Sequence, residues 1–68
     1  MTRIKIRQDL VDDGVDYIPT YEPNVFLSTT QIEQAELVSC DDDGVVTIKL
    51  ITGKTYMVDS IDLEYENE

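Results

Sequence analysis

The stretch from Gln34 to Val58 places the tightest limits on the fold. Its apolar residues form three short runs, which Asp41–Gly44 and Thr52–Lys54 separate. Short β-prone runs bounded by glycine-containing turns are typical of antiparallel strands. We therefore predict a three-stranded meander with Val45–Ile51 as its central strand. The core-facing residues of that strand are Val46, Ile48 and Leu50.

The two ends of the chain show complementary alternating patterns. Thr2–Arg7 alternates isoleucines with Arg3, Lys5 and Arg7, and Ser60–Glu66 alternates three apolar residues with three acids. Opposite charges across two strands contribute roughly 0.2–1 kcal/mol per pair. We predict that these segments pair antiparallel, with their apolar rows on the core. The apolar row of the second segment is Ile61, Leu63 and Tyr65, and residues 66–68 are expected to fray.

The segment Gln8–Pro23 has the least regular pattern. Asp12–Gly14 indicates a turn, and Pro19 and Pro23 interrupt regular structure. The residues around Tyr17 and Tyr21 either cap one end of the core or form an aromatic contact surface. We favour the cap, because small cores need aromatic area.

A short helical turn is predicted after an apolar strand at Val25–Leu27. Thr30–Glu33 has the spacing of a capping box, so we place one turn near Thr29–Ile32 and a strand from Gln34 to Cys40. A short helix in place of that strand is the alternative. The predicted fold class is all-β: one domain over 1–68, either an antiparallel meander or an SH3-like, partly open barrel. It has five to six short strands and at most one short helical turn near 29–36.

Residues 25–58 resemble the FlbD/SwrD family of small flagellar proteins. The family has F-x-L near I-E and then T-I-x-L-x-x-G-K-x-Y-x-V; this chain has Phe26 and Leu27 before Ile32–Glu33, and the second motif runs from Thr47 to Val58. LytTR-type β domains have a similar rhythm. This chain differs in its basic first strand, its Tyr/Pro segment and its acidic last strand, and it lacks the basic residues that a LytTR domain uses on DNA. The resemblance implies a small β meander or barrel and implies no particular function.

The strongest global feature is the net charge of −10, from fifteen acidic and five basic residues. Such a surface repels nucleic acid and anionic membranes and attracts basic partners. No apolar stretch approaches the roughly 18–20 residues of a membrane span. The chain has no pattern of a signal peptide and only one cysteine, so we expect a cytoplasmic protein.

The residue types needed for catalysis or metal binding are scarce. Histidine is absent from the sequence, and Cys40 stands alone beside three aspartates, which would raise the pKa of its thiol. We interpret Cys40 as a partly buried structural residue. Asp41–Asp43 are contiguous and lack the alternating spacing of a calcium loop, so we interpret them as a hairpin turn. We predict no enzyme activity, no cofactor and no metal.

The sequence therefore predicts a non-catalytic, acidic interaction module that binds a basic protein surface. A specific form is a phage or mobile-element regulator that inhibits a nucleic-acid-binding protein by mimicking nucleic acid. The alternative is a structural or assembly subunit that self-associates into a homo-oligomer through a strand edge or through Tyr17–Phe26. The predicted partner-binding residues are Asp12, Asp13, Asp16, Tyr17, Tyr21, Asp62, Glu64 and Glu66.

Overall fold

Strands predominate in the computed structural model, which describes residues 2–67 of the chain. The all-β class is confirmed, with seven strands rather than five or six and two short helices rather than one. No helix within this range is long and apolar enough to span a bilayer. The strands are β1 (Thr2–Ile6), β2 (Tyr17–Pro19), β3 (Phe26–Ser28), β4 (Glu36–Cys40), β5 (Val45–Lys49), β6 (Thr55–Asp59) and β7 (Leu63–Asn67), and the helices are α1 (Gln8–Asp12), α2 (Thr29–Gln34) and a 3₁₀ turn (Ser60–Asp62).

The predicted meander is confirmed as the sheet β4-β5-β6, with β5 in the centre. Val46 lies opposite Val58, and Ile48 lies opposite Tyr56. Val46 and Ile48 are buried, whereas Leu50 is half-buried beyond the end of β5. Two further antiparallel pairs, β1-β7 and β2-β3, complete the sheets over residues 2–67, and together they do not close into a barrel.

The predicted pairing of the chain ends is confirmed by the antiparallel pair β1-β7. Arg3 lies opposite Glu66, and Lys5 lies opposite Glu64. The Lys5 ammonium nitrogen lies 3.3 Å from a Glu66 carboxylate oxygen and 3.8 Å from one of Glu64. These side chains are partly exposed, so each ion pair contributes less than about 1 kcal/mol. The pairing therefore depends mainly on the buried isoleucines of β1.

The apolar row predicted for the last segment is only partly buried. Leu63 is buried, but Ile61 belongs to the 3₁₀ turn and is 68% exposed, and Tyr65 is 46% exposed. The 3₁₀ turn breaks the period of two that the sequence pattern assumes. Of the residues predicted to fray, 66 and 67 belong to β7, and residue 68 lies outside the described residues.

The core consists of aliphatic side chains drawn from six strands and one helix. Every strand except β4 contributes to it, and α2 contributes Ile32. Burial of this apolar surface is the main force that holds such short strands together. The buried residues are Ile4, Ile6, Ile18, Leu27, Ile32, Val46, Ile48, Val58 and Leu63.

Each of the two α-helices has a cap at one end that the sequence encodes. The N–H groups of Gly14 and Val15 donate to the carbonyls of Val11 and Leu10, which is the Schellman pattern at the end of α1. Gly14 has a φ of 90°, so the predicted turn ends an unpredicted helix. The capping box of α2 is Ser28 with Gln31, two residues earlier than the predicted Thr30–Glu33 box.

Candidate protein-interaction face

Most of the aromatic side chains lie outside the core. Four of the five are exposed, and of these Tyr17 is 62%, Phe26 58% and Tyr21 51% exposed. The preferred interpretation of Tyr17 and Tyr21 as a cap is therefore wrong. Ile18, which lies between them in the chain, is buried instead, because β2 alternates its side chains between the two faces.

The strand register brings these exposed aromatics to one side of the fold. Phe26 lies opposite Pro19, and both point outward with Tyr17. Beyond β2, Thr20 forms a β-bridge with Val58, and the Tyr21 N–H donates to the Met57 carbonyl at 2.9 Å. The β2 segment therefore continues along the edge of β6. We call the resulting surface the aromatic face; it comprises Tyr17, Pro19, Tyr21, Phe26 and Met57.

Met57 belongs to this face because of the alternation along β6. Val58 is buried, so Met57 on the opposite side of the strand points outward and is 49% exposed. Thr47 of β5 lies directly opposite Met57. Neither Met57 nor Phe26 is among the predicted partner-binding residues, although Phe26 ends the segment Tyr17–Phe26 that the assembly alternative names. Alternation about Val58 and Leu27 is a signal that could have identified both.

Carboxylates border the aromatic face at Tyr21. The Tyr21 hydroxyl donates to an Asp59 carboxylate oxygen at 3.1 Å. Partial loss of hydration raises the pKa of Tyr21, and the Asp59 hydrogen bond and charge, together with the charges of Asp41 and Asp43, raise it further. Tyr21 therefore stays a neutral phenol in a negative field at physiological pH. A basic partner would meet apolar area and negative charge side by side here.

The Asp41–Gly44 turn has a structural role. The Asp41 carboxylate accepts the backbone N–H groups of Asp43 and Val45, both at 3.0 Å, so the predicted hairpin turn is confirmed. Among residues 2–67, no group of three acidic or cysteine side chains is arranged to hold a metal ion. Cys40 is exposed rather than partly buried; it is the last residue of β4, an edge strand of the sheet.

The other predicted acidic residues lie on or after α1, and on or just before β7. Gln8 connects the two elements, since its side-chain amide donates to Asp12 at 2.9 Å and its backbone N–H donates to Glu64 at 3.0 Å. Glu64 and Glu66 also contact Lys5. The acidic row along β7 is therefore partly neutralised by the basic strand β1. Asp13 and Asp16 are exposed in the connection between α1 and β2.

Asp62 is half-buried in the 3₁₀ turn that precedes β7. Loss of hydration and the nearby Asp59 charge raise the pKa of Asp62, and the Arg7 guanidinium partly offsets them. The raised pKa means that the folded state binds this proton more tightly than the unfolded state. The ionised carboxylate therefore destabilises the fold. This loss of folding stability reaches its full size only above the raised pKa.

Asp62→Asn is expected to stabilise the protein at pH 7 by less than about 1 kcal/mol. The gain should shrink as pH falls through the raised pKa and disappear below 3.8, the ordinary aspartate value. Urea unfolding between pH 3 and 8 measures this. Asp42→Asn removes the same charge from an exposed turn and serves as the control. An equal gain in both variants would mean that only the net charge matters.

A groove of about 910 Å³ lies outside the aromatic face, where α2 meets β4. Its lining mixes Arg3 with Glu33 and Glu36, and Ile51 is its most exposed apolar residue. None of the predicted partner-binding residues lines this groove. The aromatic face, by contrast, includes two of them, Tyr17 and Tyr21.

Comparison of the chain with models of known protein families, with curated proteins and with solved structures finds no match. The resemblance of residues 25–58 to FlbD/SwrD proteins therefore stays a prediction.

Proposed function

We propose that this protein is a non-catalytic interaction module that binds a basic protein surface through its aromatic face. The observation that carries the proposal is the outward position of Tyr17, Tyr21 and Phe26 beside Met57, above a core made only of aliphatic residues. Aromatic residues and methionine are enriched in protein interfaces, and contiguous exposed apolar area is uncommon on a monomer's surface.

The charge of the surroundings supports a basic partner. The chain carries a net charge of −10, and Asp59, Asp41 and Asp43 all lie close enough to Tyr21 to raise its pKa. Charge complementarity of this kind accelerates encounter and disfavours acidic competitors. Inhibition by nucleic-acid mimicry is a specific form of this function, in which the basic partner surface is one that also binds nucleic acid.

The experiment compares two double variants as baits in lysate of the source cells. Tyr21→Ser with Phe26→Ser removes aromatic area from the face, whereas Ile51→Ser with Ile61→Ser removes exposed apolar area elsewhere. A basic protein captured by the wild type is then purified, and its affinity is measured by calorimetry. We expect the face variant to bind at least about 30-fold more weakly, the effect of losing interface hot spots, and the control to bind normally.

Equal losses in both double variants, or retention of the partner by the face variant, would contradict the proposal. Self-association is the competing explanation of the exposed face. The charge of −10 on each copy opposes it. Light scattering at high protein concentration should therefore show a monomer. A dimer that the face variant abolishes would replace the proposed function with the assembly alternative.

A further inference from the structure

A cleft at the edge of the aromatic face has the lining of a side-chain receptor. Its volume is about 370 Å³, and it lies between the Tyr21 segment and the outer surface of β5 and β6. The bridge from Thr20 to Val58 holds the Tyr21 segment against β6. The cleft is lined by Tyr21, Glu22, Thr47, Thr55, Tyr56 and Met57.

The lining combines apolar walls with hydrogen-bond acceptors. The Tyr21 ring and the Met57 thioether provide apolar contact, and the hydroxyls of Thr47 and Thr55 together with the Glu22 carboxylate provide polar contact. No lysine or arginine of residues 2–67 lines the cleft. Lys49 lies beside it, opposite Thr55 in the register, and its other neighbour across the strands is Glu36.

We propose that this cleft receives an arginine side chain of the basic partner, an inference that rests on the proposed function. A planar guanidinium can stack on the Tyr21 ring and still direct its five N–H donors toward the surrounding oxygens of Glu22, Thr47 and Thr55. A lysine ammonium is a compact, strongly hydrated charge and cannot stack in this way. Arginine is also enriched among the residues that dominate binding energy at interfaces.

The same chain already holds one cation over an aromatic ring. The Lys54 ammonium nitrogen lies 5.6 Å from the centroid of Tyr56. Tyr56 lines the cleft together with Tyr21. A bound arginine would add a second, intermolecular contact of the same kind, on the Tyr21 ring.

NMR titration with N-acetyl-arginine amide tests the inference directly. The Met57 methyl group and the Tyr21 ring protons report on the cleft, and the probes for comparison are the amides of N-acetyl-lysine and N-acetyl-citrulline. With the arginine probe, we expect the signals of both reporters to shift saturably, with a dissociation constant in the millimolar range. The other two probes should bind at least about fivefold more weakly. Equal responses to lysine, or to the uncharged citrulline, would overturn the inference.

Two variants locate the binding. Glu22→Gln and Tyr21→Leu should each weaken the arginine probe about two- to fivefold, the range of exposed ion pairs and cation–π contacts. Glu33→Gln, which removes an exposed carboxylate on α2, should leave it unchanged. A loss of the same size in Glu33→Gln would show general attraction to the acidic surface and would overturn the inference.

These experiments distinguish failure of the arginine cleft from failure of the proposed function. If a basic partner requires Phe26 but tolerates Glu22→Gln and Tyr21→Leu, the interaction module stands and the arginine cleft is wrong. If the arginine probe binds the cleft but the double variant of the aromatic face still captures every partner, the cleft stands and the proposed function is wrong.

Discussion

Replacing Ile48 with alanine is expected to destabilise the fold by about 2–5 kcal/mol. Ile48 is fully buried on the central strand β5, between Leu37 of β4 and Tyr56 of β6. A chain of 68 residues has a total stability of roughly 3–10 kcal/mol. The variant should therefore unfold at a much lower urea concentration, or be largely unfolded without urea, when followed by circular dichroism.

Ile51 provides a matched control three residues along the chain. It is 75% exposed in the loop after β5, so Ile51→Ala removes the same atoms without creating a cavity. Its stability should stay within about 0.5 kcal/mol of the wild type. If both variants lost the same stability, or if Ile48→Ala behaved like the wild type, the assignment of β5 as the centre of the core would be wrong.

The sheet framework follows from sequence patterns because strand alternation is a local signal. Ile4 and Ile6 alternate with basic residues, and Val46 and Ile48 alternate with Thr47. Each pattern determines which face is buried once a strand forms. The pairing of β1 with β7 is a long-range contact, yet it is predictable because the two segments have complementary charges. Opposite rows of basic and acidic side chains favour pairing between these two segments.

The structure differs from the sequence prediction after β1 and before β7, because short helices there interrupt the period of two. Just before β7 the pattern fails at Ile61, where the 3₁₀ turn directs the side chain into solvent. The helix α1 is hidden because its five residues are too few for a period of 3.6 to appear. Its best signal is Gly14, which the sequence pattern identifies only as a turn.

The candidate site is less predictable than the fold. Tyr17 and Tyr21 are identified from the sequence, but whether they point inward depends on how well aliphatic side chains alone fill the core. Ile18 and Leu27 fill the space that a tyrosine cap would have occupied. The position of Met57 beside Tyr21 depends on the bridge from Thr20 to Val58, which joins distant parts of the chain and has no local signature.

The arrangement of the acidic residues is likewise only partly predictable from the sequence. Their number predicts the sign of the partner's charge, but their distribution depends on contacts that only the fold defines. Glu64 and Glu66 share Lys5, whereas Asp59 is directed at the Tyr21 hydroxyl. The carboxylates that border the aromatic face are therefore mostly different from those that the sequence pattern selects.

Gly44→Ala is expected to cost about 1–2 kcal/mol from backbone strain and a further amount from crowding. Gly44 has a φ of 83°, and an added Cβ would lie 3.2 Å from the Ser60 hydroxyl oxygen. The Gly44 carbonyl also accepts the Ser60 N–H at 2.8 Å, so the β4-β5 turn is fixed to the start of the 3₁₀ turn. Neither residue can move away without weakening that bond. Chemical denaturation measures the loss.

Gly53→Ala separates the two contributions. Gly53 has a φ of 91°, but no atom lies within 4 Å of an added Cβ, so this variant carries the backbone strain alone. We expect Gly44→Ala to lose more stability than Gly53→Ala. Ser60→Ala, which removes the crowding oxygen, should return the excess in a double-mutant cycle. Equal losses at the two glycines would mean that the Ser60 hydroxyl turns away at no cost, and the predicted crowding at Gly44 would then be wrong.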